Sequence, residues 1–127
     1  PVKFPFKTNC SYFRSISDHS FSSMTPRHQQ LLELYAASPG DAFILFALAK
    51  EYENTGDYAS ALDHYMRLRE LHPGYIGLYY HLGKLYELLD DENQAAEVYR
   101  AGIELGKNTG DRHATSELMG ALANIGI

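Results

Sequence analysis

The chain has 127 residues, enough for one domain and short for two. Its 45% hydrophobic and 21% charged residues are typical of a globular protein, and a net charge of −5 argues against broad contact with nucleic acid. The one cysteine, Cys10, excludes an internal disulfide and a thiolate metal cluster, and no apolar run approaches the length of a membrane span. We therefore expect a cytoplasmic protein with one small core that binds neither nucleic acid nor membrane.

Residues 1–24 are predicted to be an N-terminal extension. Residues 1–23 hold four of the six phenylalanines and carry a net charge of +2. They show neither helical nor strand periodicity, so we expect the extension to be disordered. Two interpretations stay open: it belongs to the natural protein, or Met24 is the natural first residue and residues 1–23 are upstream sequence.

The folded domain is predicted to span 25–127. Thr25 is a good N-cap and Pro26 suits the first position of a helix, while the Ser-Pro-Gly-Asp sequence at 38–41 ends that helix and starts another. Helical spacing of apolar residues then recurs between short turns, without the alternation of a strand. We predict six helices, near 26–37, 42–54, 58–71, 76–89, 92–106 and 112–125.

An internal repeat of 34 residues is the strongest pattern. About two identities would arise by chance between two such segments at ordinary residue frequencies. Segments 42–75 and 76–109 share nine: Leu48/Leu82, Lys50/Lys84, Tyr52/Tyr86, Glu53/Glu87, Asp57/Asp91, Ala61/Ala95, Tyr65/Tyr99, Glu70/Glu104 and Leu71/Leu105. Self-similarity at this period indicates stacked supersecondary units.

Each repeat contains two helices joined by a turn short enough to make them antiparallel. Small residues recur at one place in each helix, Ala49 and Gly83 in the first and Ala61 and Ala95 in the second. We expect the paired helices to approach each other most closely at these residues.

These residues resemble the tetratricopeptide repeat (TPR) family. The family pattern is met in the first copy by Leu45, Leu48, Ala49, Tyr52, Ala61, Tyr65 and Pro73. The second copy departs from it at Lys107, where the family usually has proline, so the exit from that repeat is predicted to be longer or frayed. The resemblance implies an all-α, right-handed solenoid of helical hairpins, with half-repeat helices at 26–37 and 112–125.

Residues for catalysis or metal binding are not apparent in the sequence. The six histidines include no pair four residues apart on a helix, and Cys10 has no activating neighbour. Gly102, Gly106 and Gly110 are interpreted as helix-end residues and not as a phosphate-binding loop. We expect no metal, no cofactor and no enzymatic activity.

The resemblance also implies a concave groove, lined by the first helix of each repeat, that binds extended peptides or partner helices. Ala47 falls among the groove positions carried over by register, and six larger residues are the candidates for binding: Phe43, Phe46, Lys50, Tyr80, His81 and Lys84. The aromatic residues would bury apolar groups of the partner, and the two lysines would hold an acidic group.

Both sets of candidate residues have a structural alternative. Phe46 and Tyr80 could pack where neighbouring first helices meet, and each lysine could pair with the glutamate three residues further along. The leading hypothesis is a noncatalytic module that binds a peptide or a protein segment. The second is a self-associating scaffold, a homo-oligomer, in which the N-terminal segment acts as a built-in ligand.

Overall fold

A computed structural model describes residues 25–126. This part of the chain contains no strand and forms six helices: α1 Pro26–Ala37, α2 Ala42–Asn54, α3 Tyr58–Leu71, α4 Gly77–Leu88, α5 Glu92–Thr109 and α6 Arg112–Ile125. The predicted all-α fold with six helices is confirmed. The predictions about the N-terminal extension and Cys10 concern residues outside the described range. None of the described helices is both long and apolar enough to cross a membrane.

Five of the helices begin at a polar N-cap. Asp41, Asp57, Asp91 and Asp111 each accept a hydrogen bond from the backbone N–H three residues later, and Thr25 does the same for α1. Each cap satisfies an N–H group that the helix itself leaves without a partner. The Asp57/Asp91 identity of the internal repeat therefore marks the start of the second helix in each hairpin.

The hairpins α2–α3 and α4–α5 pack side by side around one core, with α1 on α2 and α6 against α5 and α4. Ala49, Ala61 and Ala95 are completely buried where the paired helices meet. A Cβ atom on Gly83 would overlap the ring of Tyr99. The prediction that small residues lie at the close approach of each helix pair is confirmed.

Helix α5 is longer than the sequence predicted. It continues to Thr109, so the exit that lacks proline at Lys107 is an extended helix, and its C-cap Gly110 is left-handed at φ 77°. The interpretation of Gly102 and Gly106 as helix-end residues was wrong, because both lie inside α5. A Cβ on Gly102 would stand 2.6 Å from the Cβ of Tyr79 and 2.9 Å from Cδ1 of Leu118, so this glycine lets α5 approach α4 and α6.

Helix α6 repeats the orientation of α4. Leu118 and Ala121 are buried in α6 as Leu82 and Leu85 are in α4, which corresponds to an offset of 36 residues instead of 34. The two additional residues accompany the longer α5. Helix α6 is therefore a third helix of the first type, displaced by two residues from the register of the repeat.

Candidate functional site

The candidate binding residues lie on one face formed by α2, α4 and α6, which we call the α2–α4–α6 face. The rings of Phe46 and His81 are 5.2 Å apart, and Nζ of Lys50 lies 3.3 Å from Nδ1 of His81. Tyr80 is next to His81, and Lys84 follows one turn later. The structure therefore brings five of the six candidates together, while Phe43 stands one turn before Phe46 and is 65% exposed.

Phe46 is partly buried where α2 meets its neighbours. Its ring lies 6.2 Å from Tyr65, 5.4 Å from Tyr75 and 5.2 Å from His81. The inner side of the Phe46 ring therefore packs between neighbouring helices, as the alternative interpretation held, while the ring remains partly exposed. Tyr75 was not among the predicted residues, although its position just after Pro73-Gly74 places it at the entry to α4.

Tyr80 presents its ring to two neighbours. It meets the His81 ring edge-on at 5.5 Å, and Nζ of Lys84 lies 5.6 Å from its centroid. An ammonium at this distance is attracted by the negative face of the ring. Tyr80 and Lys84 thus form an aromatic and cationic pair that is half-exposed on α4.

Each lysine of the face pairs with its own glutamate. Nζ of Lys50 is 3.8 Å from Oε1 of Glu53, and Nζ of Lys84 is 3.9 Å from Oε2 of Glu87. The local pairing weighed from the sequence is therefore confirmed. Both lysine side chains remain 38% exposed, so these long ion pairs contribute little to stability.

The same glutamates also hold the core. The hydroxyl of Tyr65 donates to Oε1 of Glu53 at 2.8 Å, and that of Tyr99 donates to Oε2 of Glu87 at 2.5 Å. Burial and these hydrogen bonds raise the pKa of both tyrosines, which therefore remain protonated donors. One tyrosine, glutamate and lysine network thus occurs twice, 34 residues apart.

His81 is an uncharged hydrogen-bonding residue in the centre of the face. The ammonium of Lys50 can only donate, so Nδ1 of His81 accepts and its proton resides on Nε2. Burial, followed by the charge of Lys50, lowers the pKa of His81, while Glu53 and Glu117 act in the opposite direction. His81 therefore gives the face a neutral imidazole with one N–H donor.

Helix α6 adds two residues that sequence reasoning missed, Glu117 and His113. Nε2 of His113 is 3.6 Å from Oε2 of Glu117, and these side chains are 87% and 53% exposed. By the offset of 36 residues, Glu117 occupies in α6 the place of His81 in α4. The signal was present in Asp111, the cap that starts α6, but groove positions were carried over only for the two complete repeats.

Ala47 was wrongly included among the residues of the face. It is buried against α1 in a small cluster with Leu31, Ile44 and Leu48. The register carried over from the family placed it toward the partner, whereas α1 covers this side of α2.

A second polar cluster, not predicted from the sequence, lies where α1 meets α2. Glu51 accepts a hydrogen bond from Oγ1 of Thr25 at 3.1 Å and pairs with Nε of Arg27 at 3.4 Å. His28 is 2% exposed, meets the Tyr52 ring edge-on at 4.5 Å, and has no hydrogen-bond partner at Nε2 among residues 25–126. Burial lowers its pKa, although Glu51 and Asp57 act against that. The cluster holds α1 on the first repeat.

Side chains that could ligate a metal are scattered over the part of the chain that the structure describes. Within residues 25–126, no group of three or more His, Cys, Asp or Glu side chains could hold a metal ion.

Stacked helical hairpins with a repeated network define a helical-repeat protein, and comparison with known proteins gives its family. Models of the tetratricopeptide repeat match residues 42–85 and 76–109. A tetratricopeptide repeat domain protein from Salinibacter ruber is 40% identical, over 67% of this chain and 94% of that one, with a TM-score of 0.64. The chain belongs to the tetratricopeptide repeat family.

Two more distant structures extend the likeness to almost the whole chain. The type III secretion translocator chaperone SycD of Yersinia enterocolitica is 13% identical, over 98% of this chain and 85% of that one, with a TM-score of 0.72. PcrH, solved in complex with the chaperone binding region of PopD, is also 13% identical, over 98% and 90%, with a TM-score of 0.71. At this identity the likeness concerns the fold. No curated protein matches the sequence.

Proposed function

We propose that this chain is a noncatalytic module that binds a peptide or a segment of a partner protein on its α2–α4–α6 face. The observation that carries the proposal is the group of aromatic residues there. Phe43 is 65% exposed, and the partly buried rings of Phe46 and Tyr80 lie beside the polar residues of α4. Aromatic residues grouped on a surface are typical of contact sites, because their burial on binding supplies much of the affinity.

Lys50 and Lys84 allow this face to bind an acidic group of a partner. An acidic group of a ligand would have to replace Glu53 or Glu87, at pairs that are long and half-exposed. Such an exchange costs little, because exposed ion pairs are weak. Binding of an acidic group, predicted from the sequence, therefore stays compatible with the face, but apolar burial is the larger contribution.

The fold likeness to PcrH supports a binding role in general terms, since PcrH holds the chaperone binding region of PopD. A face made of three helices is short. We expect a dissociation constant no tighter than about micromolar for a single peptide. The cytoplasmic location predicted from the sequence remains a prediction.

Selection of peptides from a displayed random library against the full chain tests the proposal. We expect the selected peptides to contain aromatic or aliphatic residues and to lose about tenfold or more in affinity on Phe46→Ala, as measured by fluorescence anisotropy. Leu34→Ala is the matched control, because Leu34 is half-exposed on α1, away from the face. Equal binding to both variants would place the site elsewhere.

Self-association through the ends of the stack is the weaker candidate. If a second copy continued the stack, its α1 would pack against α6 of the first copy. Arg27 would then take the place of Ala61 and Ala95, and Met119 would take the place of Gly83, so the two side chains would be buried against each other. Arg27 is 70% exposed in its pair with Glu51, and Met119 is 49% exposed. Burying a charge and a bulky side chain where the repeats have alanine and glycine is unfavourable.

Light scattering on residues 1–127 and 24–127 separates the two hypotheses. A monomer in both would exclude self-association at the concentrations tested. Larger species formed only by 1–127 would instead support the N-terminal segment, with its net charge of +2, as a ligand for a neighbouring chain.

A further inference from the structure

We infer that α1 is an acid-sensitive cap on the stack of helices. In mildly acidic solution it detaches from the first hairpin while α2–α6 stay folded, and an apolar strip of α2 becomes accessible. The inference goes beyond the proposed function, because it does not depend on where a partner binds. It follows from the small core beneath α1 and from two buried imidazoles that lie in the same contact.

Helix α1 is held by a core of its own. Leu31 of α1 is buried with Ile44, Ala47 and Leu48 of α2 in a cluster separate from the main core. In the part of the chain that the structure describes, the main core contains no buried residue of α1, although the partly buried ring of Tyr35 packs against it. Elements held by few buried apolar contacts open at a lower free energy than the whole domain. The main core can therefore persist when α1 detaches.

A cluster of four rings joins α1 to both helices of the first hairpin. His28 of α1 meets Tyr52 of α2 edge-on at 4.5 Å, and Tyr52 lies 5.2 Å from His64 of α3. Tyr35 of α1 closes the cluster, with its ring 5.7 Å from that of His64. Both histidines thus belong to the contact that holds α1 near its first turn and near its last.

A proton added to His28 would have no acceptor. His28 is buried, and its Nε2 has no hydrogen-bond partner within residues 25–126. The carboxylate of Glu51 already accepts from Oγ1 of Thr25 at one oxygen and pairs with Nε of Arg27 at the other. An imidazolium donates from both nitrogens. Protonated His28 would therefore carry a buried N–H group without a partner, which is costly.

His64 resists protonation on the other side of Tyr52. Its Nδ1 donates to the carbonyl of Ser60 at 2.8 Å, so in the neutral ring Nε2 carries no proton. A proton added at Nε2 would charge the ring that packs between Tyr35 and Tyr52. Charge in this apolar contact favours the state in which α1 has moved away and water enters.

The charged side chains around the two imidazoles are of both signs. They are Arg27 on α1, Glu51 on α2, Asp57 at the N-cap of α3, and Asp63 and Arg67 on α3. The carboxylates favour protonation, but burial is the largest influence and lowers the pKa of both histidines. When α1 detaches, the exposed histidines bind protons near their ordinary pKa of 6.5. The attachment of α1 is therefore at full strength above that pH and weakens below it.

Hydrogen exchange of the full chain, followed by mass spectrometry, tests the inference at about pH 7.5 and about pH 5.5. After correction for the intrinsic effect of pH on exchange, we expect peptides of α1 to lose about tenfold in protection at the acidic pH. Peptides of α4 and α5 should keep their protection. An equal loss in all helices would show that the domain opens as one unit and would overturn the inference. Unchanged protection of α1 would also overturn it.

Two variants assign the effect to the histidines. His28→Phe keeps a ring against Tyr52 and cannot be protonated, and His64→Gln can keep the bond to Ser60 without titrating. Each should reduce the acid-induced loss of protection in α1, and the double variant should abolish it. If His28→Phe already loosens α1 at the higher pH, His64→Gln alone decides.

His113→Gln is the matched control, because His113 is 87% exposed on α6. It should leave the acid response of α1 as it is in the unaltered chain. A loss of α1 protection that is as large in His64→Gln and in the double variant as in this control would mean that the two imidazoles do not release α1.

Discussion

The two complete repeats share their polar network but differ in how closely their helices approach. Tyr65, Glu53 and Lys50 in the first repeat are matched by Tyr99, Glu87 and Lys84 in the second. In the first hairpin the two helices meet at Ala49, which is completely buried. In the second, the ring of Tyr99 occupies the space that a Cβ of Gly83 would need. The hydrogen bonds that orient the surface charges are the same in both repeats, while the packing beneath them differs.

Gly83→Ala should destabilise the protein more than the reciprocal change at the same position of the first repeat. The new methyl group would overlap the ring of Tyr99, which is itself completely buried and cannot move without displacing other core residues. We expect a loss of about 3 kcal/mol in the free energy of unfolding, measured by urea denaturation, because overpacking a core has costs of this size.

Ala49→Gly is the reciprocal change in the first repeat. It adds no atom, so it should cost about 2 kcal/mol, about half from the lower helix propensity of glycine and half from the loss of a buried methyl group. Equal losses for the two variants would show that the hairpins are packed alike and would break the comparison.

Tyr65→Phe and Tyr99→Phe test the shared part of the repeats. Each substitution removes a hydroxyl that donates to a glutamate and leaves the ring in place. We expect each to lower the free energy of unfolding by about 2 kcal/mol, since hydrogen bonds to charged groups contribute about this much. Tyr58→Phe, at a half-buried position on α3, is the control and should change little. A large difference between Tyr65→Phe and Tyr99→Phe would mean that the network is not equivalent in the two repeats.

The pH dependence of stability should show a smaller effect, contributed mainly by α1 and the first repeat, since the second repeat holds one histidine whose pKa is lowered, His81. Burial lowers the pKa of His28 and of His64, which lie between α1 and the first hairpin. As the pH falls, these histidines bind protons near pH 6.5 in the unfolded chain but only at lower pH in the folded chain. The free energy of unfolding is therefore at its full value above that pH and decreases below it.

His64→Gln should make that decrease shallower. Nδ1 of His64 donates to the carbonyl of Ser60 at 2.8 Å, a bond that the amide of glutamine can replace without titrating. His113→Gln serves as the control, since His113 is almost fully exposed. An unchanged slope for His64→Gln, measured by urea denaturation across this pH range, would show that His64 does not cause the decrease.

The period of the sequence predicted most of the fold. A repeat of 34 residues fixes the number of helices and their antiparallel pairing, and the aspartates at the turns fix where several helices begin. The exception is α5, which runs further because no proline ends it. A missing proline removes a stop signal without indicating where the helix ends instead.

The candidate site was less predictable, for reasons that depend on packing. Phe46 and Tyr80 were found because they lie off the buried stripe, but the contact of Phe46 with Tyr75 depends on how α3 turns into α4. Ala47 was misplaced because a small residue fits either a groove or a covered surface. Glu117 was missed because groove positions were carried over only for the two complete repeats, and α6 lies outside both.

The shared glutamate oxygens link the surface of the molecule to its interior. In both repeats one carboxylate oxygen faces a buried tyrosine hydroxyl on one side and a half-exposed ammonium on the other. A partner that binds the lysine and moves it away removes a positive charge from the glutamate oxygen that accepts the tyrosine hydrogen bond. Binding of a partner at these lysines and the thermal stability of the chain are therefore thermodynamically linked. The melting temperature would change on binding even if the partner does not contact the core.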